Sequence, residues 1–131
     1  MNIKNALIVD DDETSRNLAQ STLASLGVDN IYLAHDGKDA AIKLNALPQL
    51  DLIMCDIIMP ERDGIEFISD LVKVGYAGGL ILMSSKGSQF MDLTKLIAKR
   101  RNLHLWATLN KPLVAEEVAL ALESGLTGKR S

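Results

Sequence analysis

The chain has one cysteine, Cys55, three prolines and few aromatics, with Phe, Trp and Tyr together only 4% of its 131 residues. A lone cysteine excludes an internal disulfide, so packing alone must hold the core. Basic charge is also short, with 14 Lys and Arg against 17 Asp and Glu and a net charge of -3. Neutralising nucleic-acid phosphates needs a Lys/Arg excess, which argues against direct binding of DNA or RNA. No apolar run approaches the ~20 residues required to cross a bilayer, because acidic or polar residues interrupt each one, and no membrane association is expected. The start, MNIKNALIVDDD, reaches acidic residues too early for a signal-peptide apolar stretch, so the expected compartment is the cytoplasm.

What is present is a hydrophobic content of 47%, enough for one ordinary core in a chain too short for two. One domain is expected over residues 1–127, followed by a polar tail at 128–131 within the closing GLTGKRS. The apolar runs Ala6–Val9, Ile31–Ala34, Leu52–Cys55, Leu80–Met83 and Leu103–Leu109 are short and mostly unalternating, as strands buried on both faces of a parallel sheet require. Between and after them apolar residues recur at helical spacing: Leu18, Leu23 and Leu26; Ala40, Ala41, Leu44 and Leu47; Ile65, Ile68 and Val72; Phe90, Leu93 and Ile97; Val114, Val118 and Leu122. Gly27, Gly75 and Gly125 stand where helices are expected to end, and Gly37 and Gly64 where two begin. Strict β-α alternation with short connections implies right-handed crossovers and helices on both faces, a doubly wound α/β sandwich.

Strand ends then become the residues to read, since ligands of such sheets bind in the crevice outside the strand C-termini. The first strand ends in Asp10, Asp11 and Asp12, the third in Asp56, the fourth in Ser84 and Ser85, and the fifth runs into Lys111 and Pro112. Carboxylates converging in one crevice repel each other and either raise a pKa or recruit a cation. Oxygen ligands with room for water and phosphate oxygens suit Mg²⁺, and a carboxylate at such a site can also act as a nucleophile toward phosphorus. Lys111 offers a point charge, and Ser84 a hydroxyl, to phosphoryl oxygens. Each feature also has a plainer use: aspartates before a helix cap it, Asp56 before MPERDG can open a turn, and Lys-Pro is a common loop pair. Met54 and Cys55 read as core packing, and His104 as a strand residue away from the acidic edge. Capping does not require polar residues at the loop ends of all these strands together.

The segments ALIVDDDETSR, DLIMCDIIMPERDGIEF, LILMSS and NKPL, in this order over nearly the whole chain, resemble the landmark segments of response-regulator receiver domains. The resemblance implies a five-stranded parallel sheet of order 2-1-3-4-5, the flavodoxin-like receiver fold. It implies Mg²⁺ bound by Asp11 directly and by Asp10 mainly through water, with Asp56 as phosphoacceptor and metal ligand and the Ile58 carbonyl completing the set. Ser84 takes the place of the switching Ser/Thr and Lys111 that of the site lysine, while Asp12 matches no ligand and reads as helix-start charge. The expected role is that of a signalling phosphoacceptor rather than a conventional turnover enzyme. The implied partners are a sensor histidine kinase or phosphotransfer protein, and an effector at helix 4, strand 5 and helix 5.

Two departures stand out. The aromatic that the family commonly carries three residues before its lysine is Thr108 here, and strand alternation places Trp106 on the same face as Thr108, making it a candidate reporter. The long Ser85–Leu105 segment, together with GYAGGLILMSS, resembles receivers joined to EAL-type cyclic-di-GMP phosphodiesterases. Ile58 and Lys86 are expected at the site mouth, where an apolar Ile58 cannot orient an attacking water. The basic set Lys95, Lys99, Arg100 and Arg101 falls on the fourth helix. A flavodoxin-like electron carrier is disfavoured because three aspartates occupy the flavin-phosphate loop. A haloacid-dehalogenase-type phosphatase needs D-x-D on the first strand, and a phosphorylation-independent docking module needs no intact set of Asp10, Asp11, Asp56, Ser84 and Lys111.

Overall fold

A computed structural model describes residues 3–59, 63–85 and 89–128. Five strands alternate with five helices: β1 (Asn5–Val9), α1 (Glu13–Ser25), β2 (Asn30–Ala34), α2 (Gly37–Ala46), β3 (Leu52–Asp56), α3 (Gly64–Lys73), β4 (Gly79–Ser85), α4 (Gln89–Arg100), β5 (His104–Lys111) and α5 (Ala115–Leu126). The strands form one parallel sheet, as the apolar pattern predicts, in the order β2-β1-β3-β4-β5 that the family resemblance implies. Among the described residues no helix is long and apolar enough to cross a membrane.

The unalternating apolar runs have their reason in two cores. Leu7, Val9, Ile53, Cys55, Leu80, Leu82 and Leu105 pack with Phe67, Ile68, Leu71 and Ala98 of α3 and α4. Their sequence neighbours Ala6, Ile8, Leu52, Met54, Ile81 and Met83 pack with Ala19 and Leu23 of α1 and Val118 and Leu122 of α5. Covering both faces removes each of these side chains from water, and a fully buried Leu or Ile contributes roughly 1.5–3 kcal/mol. Aspartates start the first three helices: Asp12, Asp36 and Asp63 each accept a backbone N–H three residues on, from Ser15, Asp39 and Glu66. Such caps satisfy donors that the first helical turn leaves open.

Two expectations need correction. Leu80 pairs with Leu105 but Ile81 pairs with Ala107, so β5 carries an extra residue at Trp106. This bulge breaks the alternation: Trp106 and Ala107 both lie against the α1–α5 core, whereas Thr108 pairs with Leu82, which belongs to the opposite one. Trp106 and Thr108 therefore do not share a face. The indole sits at the start of the strand, where a Cβ on Gly79 would come within 2.2 Å of it and one on Gly125 within 2.0 Å. Gly125 is thus a buried packing position in the last turn of α5 rather than the residue that terminates it; the helix ends at Leu126 with Thr127 as its C-cap, followed by Gly128 at φ +83°. Gly27 and Gly75, at φ +92° and +69°, do end α1 and α3. Of the polar tail only Gly128 lies within the described residues, and Lys86 lies outside them.

Candidate functional site

Strand direction carries the polar ends of β1, β3, β4 and β5 to one edge. Parallel pairing sets Val9 beside Cys55, and Asp56 beside Met83, so that Asp10 follows one strand where Asp56 ends the next. Lys111, at the end of β5, reaches across to both carboxylates, with its Nζ 2.7 Å from Asp56 Oδ2 and 2.8 Å from Asp10 Oδ2. Asp10 is fully buried and Asp56 and Ser84 nearly so, while Asp11 is exposed. Oxygens of Asp10, Asp11 and Asp56 lie within 4.8 Å of one another.

The second oxygen of each buried carboxylate is held by backbone. Asp10 Oδ1 accepts the Asp12 N–H at 3.0 Å and Asp56 Oδ1 accepts the Ile58 N–H at 3.1 Å. Burial pushes the Asp56 pKa above the usual carboxylate value; the bonds from Lys111 and Ile58 oppose this and the charge of Asp10 adds to it. Burial also works against the Lys111 charge, but its bonds to Asp10 and Asp56 outweigh that and raise its pKa above the usual lysine value. The adjacent Cys55 thiol, wholly buried, is held neutral by the same loss of solvation.

These residues border a cavity of about 470 Å³ lined by Asp11, Asp12, Ser15, Asp56, Ile58, Ser85, Lys111 and Pro112. Of the hydroxyls at the end of β4, Ser85 faces this cavity; Ser84 is buried and donates to the Ser85 carbonyl at 2.7 Å. Ile58 is 57% exposed and lines the mouth. Asp12 caps α1 as expected, but it also lines the cavity. Sequence reasoning passed over Arg16, whose guanidinium donates to the Asp10 carbonyl at 2.8 Å and pins the β1–α1 loop from the second turn of the helix. It also passed over Ser15, for which the capping spacing from Asp12 was the available signal. The Lys111–Pro112 peptide is cis.

The donor set fits a hard divalent cation. All the clustered side-chain donors are carboxylate oxygens, and Asp10 Oδ2, fully buried, has no hydrogen-bond partner beyond its ion-pair contact with Lys111. Mg²⁺ would be held here by Asp10, Asp11 and Asp56.

A doubly wound sheet with this acidic crevice and a bridging lysine defines the receiver class, and comparison with known proteins agrees. Residues 6–123 match the response regulator receiver domain, and the chain belongs to that family. It is 30% identical over 118 residues to the chemotaxis protein CheY of Halobacterium salinarum, covering 88% of this chain and 94% of that protein. It is 27% identical over 122 residues to the cyclic di-GMP phosphodiesterase RocR of Pseudomonas aeruginosa, covering 93% of this chain but only 31% of that protein. Among solved structures, the signal receiver domain of a modulated diguanylate cyclase from Desulfovibrio desulfuricans G20 matches with a TM-score of 0.78 at 26% identity, covering 98% of this chain and 97% of that one. A CheY-like receiver from Methanospirillum hungatei JF-1 shares the fold, with a TM-score of 0.81 at 19% identity and coverage of 98% and 97% of the two chains. The protein is accordingly a receiver domain of two-component signalling, a family that works with histidine kinases and effector domains.

Proposed function

We propose that the protein accepts a phosphoryl group on Asp56 from a sensor histidine kinase or a phosphotransfer protein, in a Mg²⁺-dependent reaction in the cytoplasm, and thereby switches an effector interaction. The observation that carries this reading is the Asp56 carboxylate itself: nearly buried at the end of β3, 2.7 Å from Lys111 Nζ and open to a cavity large enough for a phosphoryl group. An Asp56 oxygen attacks phosphorus, the bond from phosphorus to the donor nitrogen breaks, and that electron pair leaves with the imidazole, which regains a proton. Lys111, already between two carboxylates, offers its charge to a phosphoryl oxygen as negative charge builds on the group. When bound, Mg²⁺ supplies further positive charge for the transferring oxygens. Asp10, Asp11 and Asp56 would hold it, with the Ile58 carbonyl completing the protein ligands. Ser84, at the end of β4, turns from the Ser85 carbonyl toward the phosphoryl group. The protein acts once for each group it receives, so it is a signalling switch and not a turnover enzyme.

The output face we assign is α4, β5 and α5. Leu93 and Leu96 on α4 and Leu120 on α5 are large apolar side chains left open to solvent, and the basic residues Lys99 and Arg100 at the end of α4, with Arg101 just past it rather than on the helix, are exposed as well. Incubation with acetyl phosphate and Mg²⁺ should add one phosphate by intact-mass spectrometry, and Asp56→Asn should remove it. Labelling of Asp56→Asn equal to that of the parent chain would reject Asp56 as the acceptor.

A further inference from the structure

Among the described residues, charge around the cavity does not balance. Asp10, Asp11 and Asp56 form the acidic cluster, and Lys111 together with one divalent cation would offset those three negative charges. Asp12 is the charge in excess. It lines the same cavity, and its carboxylate is held by the Ser15 N–H at 2.9 Å, so it cannot swing away without uncapping α1. It shares the wall of that cavity with Lys111. Arg16, a further cation among the described residues, has its guanidinium engaged at the Asp10 carbonyl and does not line the cavity.

We infer that Asp12 is a specificity-determining residue: its fixed carboxylate at the cavity mouth slows phosphorylation by small anionic phosphodonors relative to transfer from a donor protein. The inference rests on Asp56 being the phosphoacceptor. A small donor must bring its full negative charge past Asp12, whereas a phosphohistidine arrives on a protein surface that can present compensating cations. Asp12 has this effect without touching the reacting atoms.

The substitution that isolates the effect is Asp12→Asn, because asparagine caps a helix about as well as aspartate while carrying no charge. Phosphorylation is followed by intact mass with two donors, acetyl phosphate, nearly a dianion at neutral pH, and phosphoramidate, which carries a single net negative charge. Across roughly 8 Å of water, one charge acting on a dianion changes its local concentration roughly three- to six-fold at low salt, and less than twofold once the screening length falls to about 4 Å. Asp12→Asn should speed acetyl phosphate labelling by that factor at low salt, speed phosphoramidate labelling by about half the exponent, and lose both gains near 0.5 M salt. Asp12→Ala should show the same kinetic gain while melting earlier, which separates charge from cap. Calorimetric titration gives a readout apart from phosphorylation, with Mg²⁺ expected to bind Asp12→Asn roughly threefold more weakly at low salt. Equal acceleration of both donors, a gain that survives high salt, or an unchanged Mg²⁺ affinity overturns the inference. A parent chain that neither donor labels overturns the phosphoacceptor reading as well; a labelled parent with an unresponsive Asp12→Asn overturns this inference alone.

Discussion

Removing the Lys111 charge gives the most direct view of the forces at the site. In Lys111→Met an unbranched apolar chain fills similar space, and the buried oxygens of Asp10 and Asp56, within 4.8 Å of one another, lose the cation between them. At an effective dielectric of 20, two such charges repel by about 3 kcal/mol. Breaking a fully buried pair by deleting one partner costs roughly 3–5 kcal/mol, and the small exposure of Lys111 and Asp56 lets water recover part of it. We expect Lys111→Met to lose roughly 2–4 kcal/mol at pH 7 without divalent cations. The sign with pH follows from proton uptake. Deprived of Lys111, the pair holds a proton more tightly folded than unfolded, so the loss should shrink as pH falls from 7 toward the ordinary aspartate range and reappear as pH rises. Saturating Mg²⁺ should also shrink it, because the cation replaces the missing charge. Urea denaturation in EDTA at pH 7, in EDTA at pH 5, and with Mg²⁺ at pH 7 measures all three. A loss below about 0.5 kcal/mol in EDTA, or the same loss in every condition, would refute the charge argument.

Replacing Ile58, an exposed apolar residue at the mouth, by Asn should speed release of phosphate from the phosphorylated protein several-fold, since a carboxamide can position an attacking water; slower release contradicts this. Asp11→Ala should weaken Mg²⁺ binding more than Asp10→Ala in calorimetric titrations, the Asp11 carboxylate being exposed while Asp10 is already engaged by the Asp12 N–H and Lys111; equal affinities reject that ligand assignment. Gly125→Ala places a Cβ 2.0 Å from the Trp106 ring, so neighbouring groups must part by roughly 1.4 Å at a cost of about 1–3 kcal/mol. That cost should largely vanish in a Trp106→Leu background, and equal costs in both backgrounds would show that the indole is not what the glycine accommodates. Trp106 emission should follow the undocking of α5 and stay nearly constant when beryllofluoride binds at Asp56, because five residues of strand, roughly 16 Å, separate Trp106 from Lys111. A large change on binding would restore Trp106 as a reporter of the site.

Much of this was legible along the chain because it depends on local rules. Strands covered on both faces read as unbroken apolar runs, so Ala6–Val9 and Leu52–Cys55 mark themselves, and the polar residues directly after them mark the sheet edge where a ligand can sit. Capping is equally local, which is why Asp12 was recognisable as the start of α1. The bulge at Trp106 was not legible, since it is set by how β5 registers against β4, a neighbour that periodicity within β5 does not describe. The role of Gly125 was hidden for the same reason: it does stand in the last turn of α5, but only the indole arriving from β5 makes a buried glycine necessary there. The site divides along this line. Residue types and strand ends are properties of the sequence, but the bridges from Lys111 to Asp56, spanning 55 positions, and from Lys111 to Asp10 exist only once the sheet has assembled. Distances between side chains on different strands follow from register and twist, which no single segment contains.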